Sequence, residues 1–497
     1  MTEVEIIGFA PDADPTTPGV LIDCDAIIPS EKGWCALPGR KRVDDDWNAS
    51  ISALPDAEVV GAGACRLDNV QRVFAGTAQK IFALRFYSPT TAAAQYAGWE
   101  DMSRAGGYTL SAGYPTWVFE GFGDFVIGAM GSVSYARAIT LQAASALATA
   151  FADIADGPLA CIVVVASRFV MALNLDGVPD GWKCCARDNH ADWALSVATQ
   201  CAQGRLVEAP GPITAGIAFD DDILAFKEDG FWIGRYTGAP EIWTWNKQAV
   251  AAGCAGPHAV TKAPDGMVYF VGRAGLFSWD GAVATPLMAG TLQRWWTNAT
   301  NAAGGASDTE CVYDEPRNIV WIAAQASAAD LLVAYHVPTK RWGKTASTTR
   351  TWDLIFSVPV DFSDTGSFLF GNAPADRTIG LFDTARRMCA LSGPPASVTG
   401  VPTPTFTTGD FGDISVDTEL KAARLKFTRP PDTANCTPMH RAALDATLTT
   451  AAAVSRSSGT GRFDLWQIDR WHRLRFDLQG DVEFTGYAID ADAVDDL

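Results

Sequence analysis

Short runs of β-branched and aromatic residues recur along this chain. Each meets a Gly- or Asp-containing turn and a second such run, the pattern of a β-hairpin. Seven hairpins fit. They centre on Phe74 (Arg72-Val73-Phe74, then Ile81 to Leu84), Ile127 (Phe125-Val126-Ile127), Val165 (Ile162 to Val165, then Phe169 to Leu173) and Phe226 (Ile223 to Phe226, then Phe231-Trp232-Ile233). The others centre on Phe270 (Met267 to Phe270, then Leu276 to Trp279), Trp321 (Ile319 to Ile322, then Leu331 to Tyr335) and Phe370 (Phe368-Leu369-Phe370, then Leu381-Phe382). A repeat of roughly 40 to 50 residues with two or more strands per unit predicts propeller blades, because one small sheet cannot bury both faces and must stack on its neighbours. The expected fold is all-β: a β-propeller of about six or seven blades, with an extended N-terminal arm and a C-terminal β-sandwich-like domain. The competing arrangement is an ordinary β-sandwich with long loops.

The flanks read differently. Residues 1–55 carry Pro11, Pro15, Pro18, Pro29, Pro38 and Pro55 with little apolar periodicity, which favours an extended arm able to clasp a neighbouring subunit. Residues 56–390 hold the hairpins. After Arg387, Ser392-Gly393-Pro394-Pro395 and Pro402-Thr403-Pro404 have linker composition, so 391–497 is expected to be a separate β-rich unit. Within it Leu474, Phe476 and Leu478 alternate with polar residues, Gln479-Gly480 turns, and Val482 and Phe484 alternate again, predicting a half-buried hairpin. The Ala-rich segment Ala138 to Ala155, with Leu141, Leu147 and Phe151, predicts an inserted helix.

Composition narrows the function. Hydrophobic residues make up 48% of the 497, enough for a large core. The longest apolar stretch, Ala160 to Leu175, is broken by Arg168 and falls short of the roughly 20 residues of a membrane span. The opening Met1-Thr2-Glu3-Val4-Glu5 is no secretory signal, so folding in a cytoplasm is expected. Eleven cysteines, with one adjacent pair (Cys184-Cys185) and no CxxC spacing, argue against a disulfide framework or zinc site. The net charge of −19 argues against a protein that grips phosphate.

Motifs for chemistry fail on inspection. Gly343-Lys344-Thr345 ends like a phosphate-binding loop, but Pro338 stands where that motif needs its first glycine. Gly121-Phe122-Gly123 begins like a dinucleotide fingerprint, yet the next glycine is Gly128 and Phe125-Val126-Ile127 reads as strand, so a β-turn is expected. There is no GxSxG or HExxH, and His190, His258, His336, His440 and His472 are dispersed. Asp44-Asp45-Asp46 and Asp220-Asp221-Asp222 are acidic triplets with the residue type for Ca²⁺, though solvated turns use the same composition. Trp232, Trp279 and Trp321 lie inside hairpin strands and are expected in blade cores, not on a sugar-binding surface. No catalytic, metal or cofactor residue is assigned.

Several segments share their wording and order with one family. These are Gly98-Trp99-Glu100-Asp101-Met102-Ser103 with Gly106-Gly107-Tyr108, the run Trp117 to Ile127, and Ile233-Gly234-Arg235-Tyr236-Thr237-Gly238-Ala239-Pro240. Val268 to Gly281, Tyr335 with Lys340-Arg341-Trp342, and Arg470 to Phe476 followed by Phe484 to Asp490 complete the set. Together they resemble the tail nozzle, or packaged-DNA stabilisation, proteins of short-tailed bacteriophages (podoviruses). The resemblance implies a virion protein assembled in the host cytoplasm as a hexameric ring below the portal and its adaptor ring. It also implies contact with tail fibres or a tail plug, a channel conducting double-stranded DNA without binding it specifically, and no catalytic residues or cofactors. An acidic chain suits that role, since several Lys or Arg contacts would hold the duplex. The alternatives are a receptor- or carbohydrate-binding tail-tip propeller and a propeller hydrolase.

Overall fold

The computed structural model describes the chain except residues 43–53, 55, 68–69, 88–95, 147, 303–308, 327–328, 348–350, 360–376, 394–402 and 495–497. Asp44-Asp45-Asp46 and Phe368-Leu369-Phe370 lie outside the described residues.

Nearly everything described is β, and the hairpins grow into antiparallel blades. Blade one is Val59–Leu67, Val70–Thr77, Ile81–Tyr87 and Tyr96–Asp101; blade two is built on Thr116–Phe122, Phe125–Ser132 and Gln142–Ser145. Blade three is Ala160–Ala166, Phe169–Leu175, Val178–Cys184 and Gln203–Arg205. Blade four is Ala215–Phe219, Asp222–Lys227, Gly230–Gly238 and Ile242–Lys247, and blade five spans Val260–Lys262 to Ala284–Pro286. One further blade combines Trp352–Pro359, Arg377–Asp383 and Met388–Gly393 with Gly39–Arg42 from the other end of the chain. These six sheets stand alone. Between the last two in sequence, Thr309–Asp314, Ile319–Ala326, Ala329–His336 and Arg341–Ser347 form a further blade-like set, the first four strands of a ten-stranded sheet. Counting it as blade six makes Trp352–Gly393 blade seven. The first strand of each set packs on the next, and Trp352–Pro359 packs back on Val59–Leu67, closing the ring.

Stacking explains the apolar runs. A middle strand is covered on both faces by adjacent blades, so Phe169–Leu175 is buried at all but its last residue and Val268–Gly272 throughout. The stretch 160–175 is therefore two blade strands, with Arg168 at their turn. No helix among the described residues is long and apolar enough to cross a membrane.

The second unit is a β-sandwich. One layer continues the ten-stranded sheet from blade six through Ile27–Pro29 and Trp34–Ala36 into Glu483–Ala493, Thr418–Arg429 and Arg462–Asp469. The other contains Val20–Asp25, Thr405–Thr408, Trp471–Gln479 and Thr433–Arg441. Phe406 lies between the layers, its ring 4.9 Å from those of both Phe476 and Phe484.

Three expectations need correction. The 138–155 segment is not helical: it forms Arg137–Ala138, Gln142–Ser145 and Ala152–Asp153, because pairing with Phe125–Ser132 outweighs alanine's advantage of under about 1 kcal/mol per residue. The terminal strands Trp471–Gln479 and Glu483–Ala493 do not form a hairpin. Gly480, at φ +94°, turns the chain from one layer into the other, so the two alternating faces meet across the core. The N-terminal segment is extended, but it clasps its own chain. Thr2–Glu5 pairs with Glu483–Ala493, and Gly39–Arg42 pairs with Met388–Gly393.

A helix not anticipated from the pattern, Gln293–Ala302, buries Trp296 and Thr300, which follow Leu292 at four-residue steps. Asp12 caps it from 283 positions away, accepting from the Trp295 N–H at 3.1 Å.

Candidate functional site

A cleft of about 570 Å³ lies on the face formed by the second-to-third strand turns of blades two and three. Three segments wall it: 134–136, Pro179-Asp180, and the connection between Arg205 and Pro212. Tyr135 sits in a tight turn closed by the Ala136 N–H donating to Val133, with Ala136 at φ +46°. Gly113, at φ +88°, lets the preceding connection lie against that turn. A Cβ there would stand 2.3 Å from Ser132 Oγ.

Lys227 forms the floor. Its ammonium donates to the carbonyls of Leu206 and Ala209 at 2.6 and 2.7 Å and lies over the Trp232 ring. Burial lowers its pKa. The lysine thus pins the proline-rich wall, while Asp180 accepts twice from Arg205, at 2.8 and 3.1 Å. This arrangement can hold an apolar group over a buried ammonium, beside a rim that carries the Arg205–Asp180 pair.

The propeller axis holds the second feature. His258 Nε2 lies 3.0 Å from Thr116 Oγ1, which donates to the Val60 carbonyl. The Cys311 N–H donates to the His258 carbonyl at 2.8 Å. Blades one, two and six thus meet the connection between blades four and five at one point. The surrounding atoms push the His258 imidazole down to about 4.

The residues singled out from sequence are mostly structural. Trp232, Trp279 and Trp321 are buried in the blades. Lys344 is buried, paired with Asp23 at 2.9 Å and set over Phe9, while a Cβ on Gly343 would meet the Ile27 carbonyl at 2.3 Å. Gly123 turns at φ +60° between two paired strands, as expected. Asp220 pairs with Lys262 and Asp222 with Arg235, so two of the three acids at this hairpin tip are matched by bases. Of the histidines, only His440 and His472 come together, as cross-strand partners; His440 Nδ1 binds Asp469 at 2.8 Å and His472 Nε2 lies 2.9 Å from Thr418 Oγ1. Among the described residues no three ligating side chains are grouped to hold a metal. None of the eleven cysteines is in a disulfide; burial pushes the thiols of Cys24, Cys184, Cys185 and Cys254 up to about 12, away from thiolate chemistry. The cleft was missed because its walls come from three distant segments that carry no shared motif.

No family model matches the chain, and no curated protein matches it. Solved structures do align at low identity. The extracellular domain of a protein described as a one-component system from B. thetaiotaomicron aligns at 9% identity and TM-score 0.41, over 95% of this chain. This chain spans 61% of that domain's length. The WD40 domain of Toxoplasma gondii coronin aligns at 8% identity and TM-score 0.36, over 74% of this chain and 87% of that one. A glycoside hydrolase aligns at 9% identity and TM-score 0.27, over 88% and 99%. The blade order and ring closure identify the chain as a β-propeller joined to a β-sandwich by one continuous sheet.

Proposed function

We propose that the chain is a structural virion subunit, the tail nozzle of a short-tailed bacteriophage, which retains packaged double-stranded DNA and conducts it during ejection. The observation that carries this reading is the ten-stranded sheet running from blade six into the sandwich, which makes the two units one stiff block. The His258–Thr116 bridge supports a particular geometry. It ties blade two to the connection before blade five across the propeller, and on this reading the duplex passes between subunits, inside a ring of copies. The charge of −19 favours passage over capture. On this reading the chain turns over no substrate, and its partners are its own copies, the adaptor ring and tail fibres or a tail plug.

The test is the solution mass of the purified chain with negative-stain imaging, alone and with the virion's adaptor ring. A closed ring with a central hole supports the nozzle; a strict monomer that never joins the adaptor refutes it. A second reading, a carbohydrate-binding tail-tip propeller, is favoured by the exposed rings of Tyr114 and Tyr135 beside the cleft. A glycan array separates it from the first: the nozzle predicts no selective binding.

A further inference from the structure

Among the exposed large apolar side chains two groups stand out. The first surrounds the cleft. Gly113 and the Tyr135 ring are neighbours, Ala136 accepts from the Gly177 N–H, and Leu159 accepts from that of Asp176. Tyr114, Tyr135, Leu159, Val178 and Val207 therefore lie along one propeller face, Tyr114 87% and Val207 68% exposed. Scattered surface apolar residues need no explanation, but a grouped set rimming a cleft marks an interaction site.

The second group lies on an edge of the sandwich. Arg462–Asp469 is the edge strand of the ten-stranded sheet, paired on one side only. Opposite it Leu420 pairs with Gln467 and Ala422 with Asp464, so Leu465 and Trp466 together face the single Lys421. This is a β-bulge, a device that re-aims a side chain at a sheet edge. Trp466 stands in it at φ +52°, an unusual conformation for a bulky residue, and is 65% exposed. Ile468 and Ile414 are exposed on the same border, where the Asp413 N–H donates to the Arg470 carbonyl.

We infer that the Trp466 edge of one copy docks in the Tyr135–Val207 cleft of the next, so that these two surfaces are the repeating contact of the ring. The inference rests on the nozzle reading for the ring itself. Charge supports the pairing. The cleft carries the Arg205–Asp180 pair above the buried Lys227 ammonium, whereas the edge carries Asp413, Asp417, Asp464, Asp469, Glu419 and Asp492 against Lys421, Arg462 and Arg470. Shape agrees: 570 Å³ falls within the about 300–1,000 Å³ of sites that bury a sizeable apolar group. The surfaces are different regions of one chain, so the contact is head-to-tail, the type that closes into rings.

The test uses the full chain at micromolar concentration, alone and on the adaptor ring. Trp466→Ala and Val207→Asp should each raise the concentration for half-assembly about thirtyfold or more, with thermal midpoints unchanged because both side chains are exposed. Copies bearing Trp466→Cys mixed with copies bearing Val207→Cys should be joined by a bismaleimide, whereas neither alone, nor the wild type with its native cysteines, should be. Normal rings from both variants would overturn the inference and leave the nozzle reading standing. Crosslinking of Trp466→Cys to itself would replace it with a two-fold contact. A wild type that stays monomeric throughout would remove both.

Discussion

Blades four and seven are both four-stranded antiparallel sheets with tightly packed aromatic centres, yet they are assembled in opposite ways. Blade four is cut from consecutive residues, Ala215 to Lys247, each strand pairing with the next. Blade seven takes its outer strand, Gly39–Arg42, from the far end of the chain, and the sandwich likewise seals Glu483–Ala493 against Thr2–Glu5 and Trp34–Ala36. Local pairing forms at little loop-closure cost, whereas end-to-end pairing ties distant segments and makes the ring and sandwich depend on each other. The N-terminal segment is the tie.

That contrast can be broken first at Trp34. It is fully buried in the strand that joins blade six to the sandwich, and Trp34→Ala should cost about 3–5 kcal/mol in chemical unfolding. Trp232→Ala in blade four should cost a similar amount, but amide exchange separates the two. Trp34→Ala should loosen blade six and the sandwich together, while Trp232→Ala should loosen blade four and its contacts alone. Equal, chain-wide loosening in both would erase the distinction.

A smaller effect is expected at the closing strand. The Arg40 guanidinium donates to the Thr351 carbonyl at 3.0 Å and to its Oγ1 at 2.6 Å, and lies over Trp352. Arg40→Ala should cost about 1–3 kcal/mol and raise exchange in Met388–Gly393 before any other blade. Protection lost first in blade four would contradict the tie.

The mildest test is pH. The His258 pKa lies at about 4 in the fold against 6.5 ordinarily, so between those values the unfolded chain binds the proton and the fold does not. Its contribution is complete above about pH 6.5 and is lost as the pH falls toward about 4. Unfolding midpoints should therefore decline over that window, and His258→Gln should flatten part of the decline. An unchanged pH profile in the variant would show that the axial bridge is not formed as described.

The same contrast decides what the residues disclose. The Phe74, Val165, Phe226, Phe270 and Trp321 hairpins were legible because each strand's partner follows within a few residues. Alternation in 474–484 foretold two half-buried strands but could not distinguish a hairpin from a crossing between layers, since both bury the same face. The Gln293–Ala302 helix was hidden because its cap is Asp12. The prolines fitted the extended strands of residues 1–42, but did not disclose that the partners of those strands lie in the same chain. No motif marks Lys227, which becomes the cleft floor only through the carbonyls of Leu206 and Ala209.

If copies of this two-unit chain build a conduit, as proposed, the decisive measurement is imaging of the purified chain alone and with the adaptor ring of the proposed virion. The expected result is a closed ring with an open centre wide enough for duplex DNA and propellers placed around it. Single propellers that never associate with the adaptor, at any concentration, would contradict it.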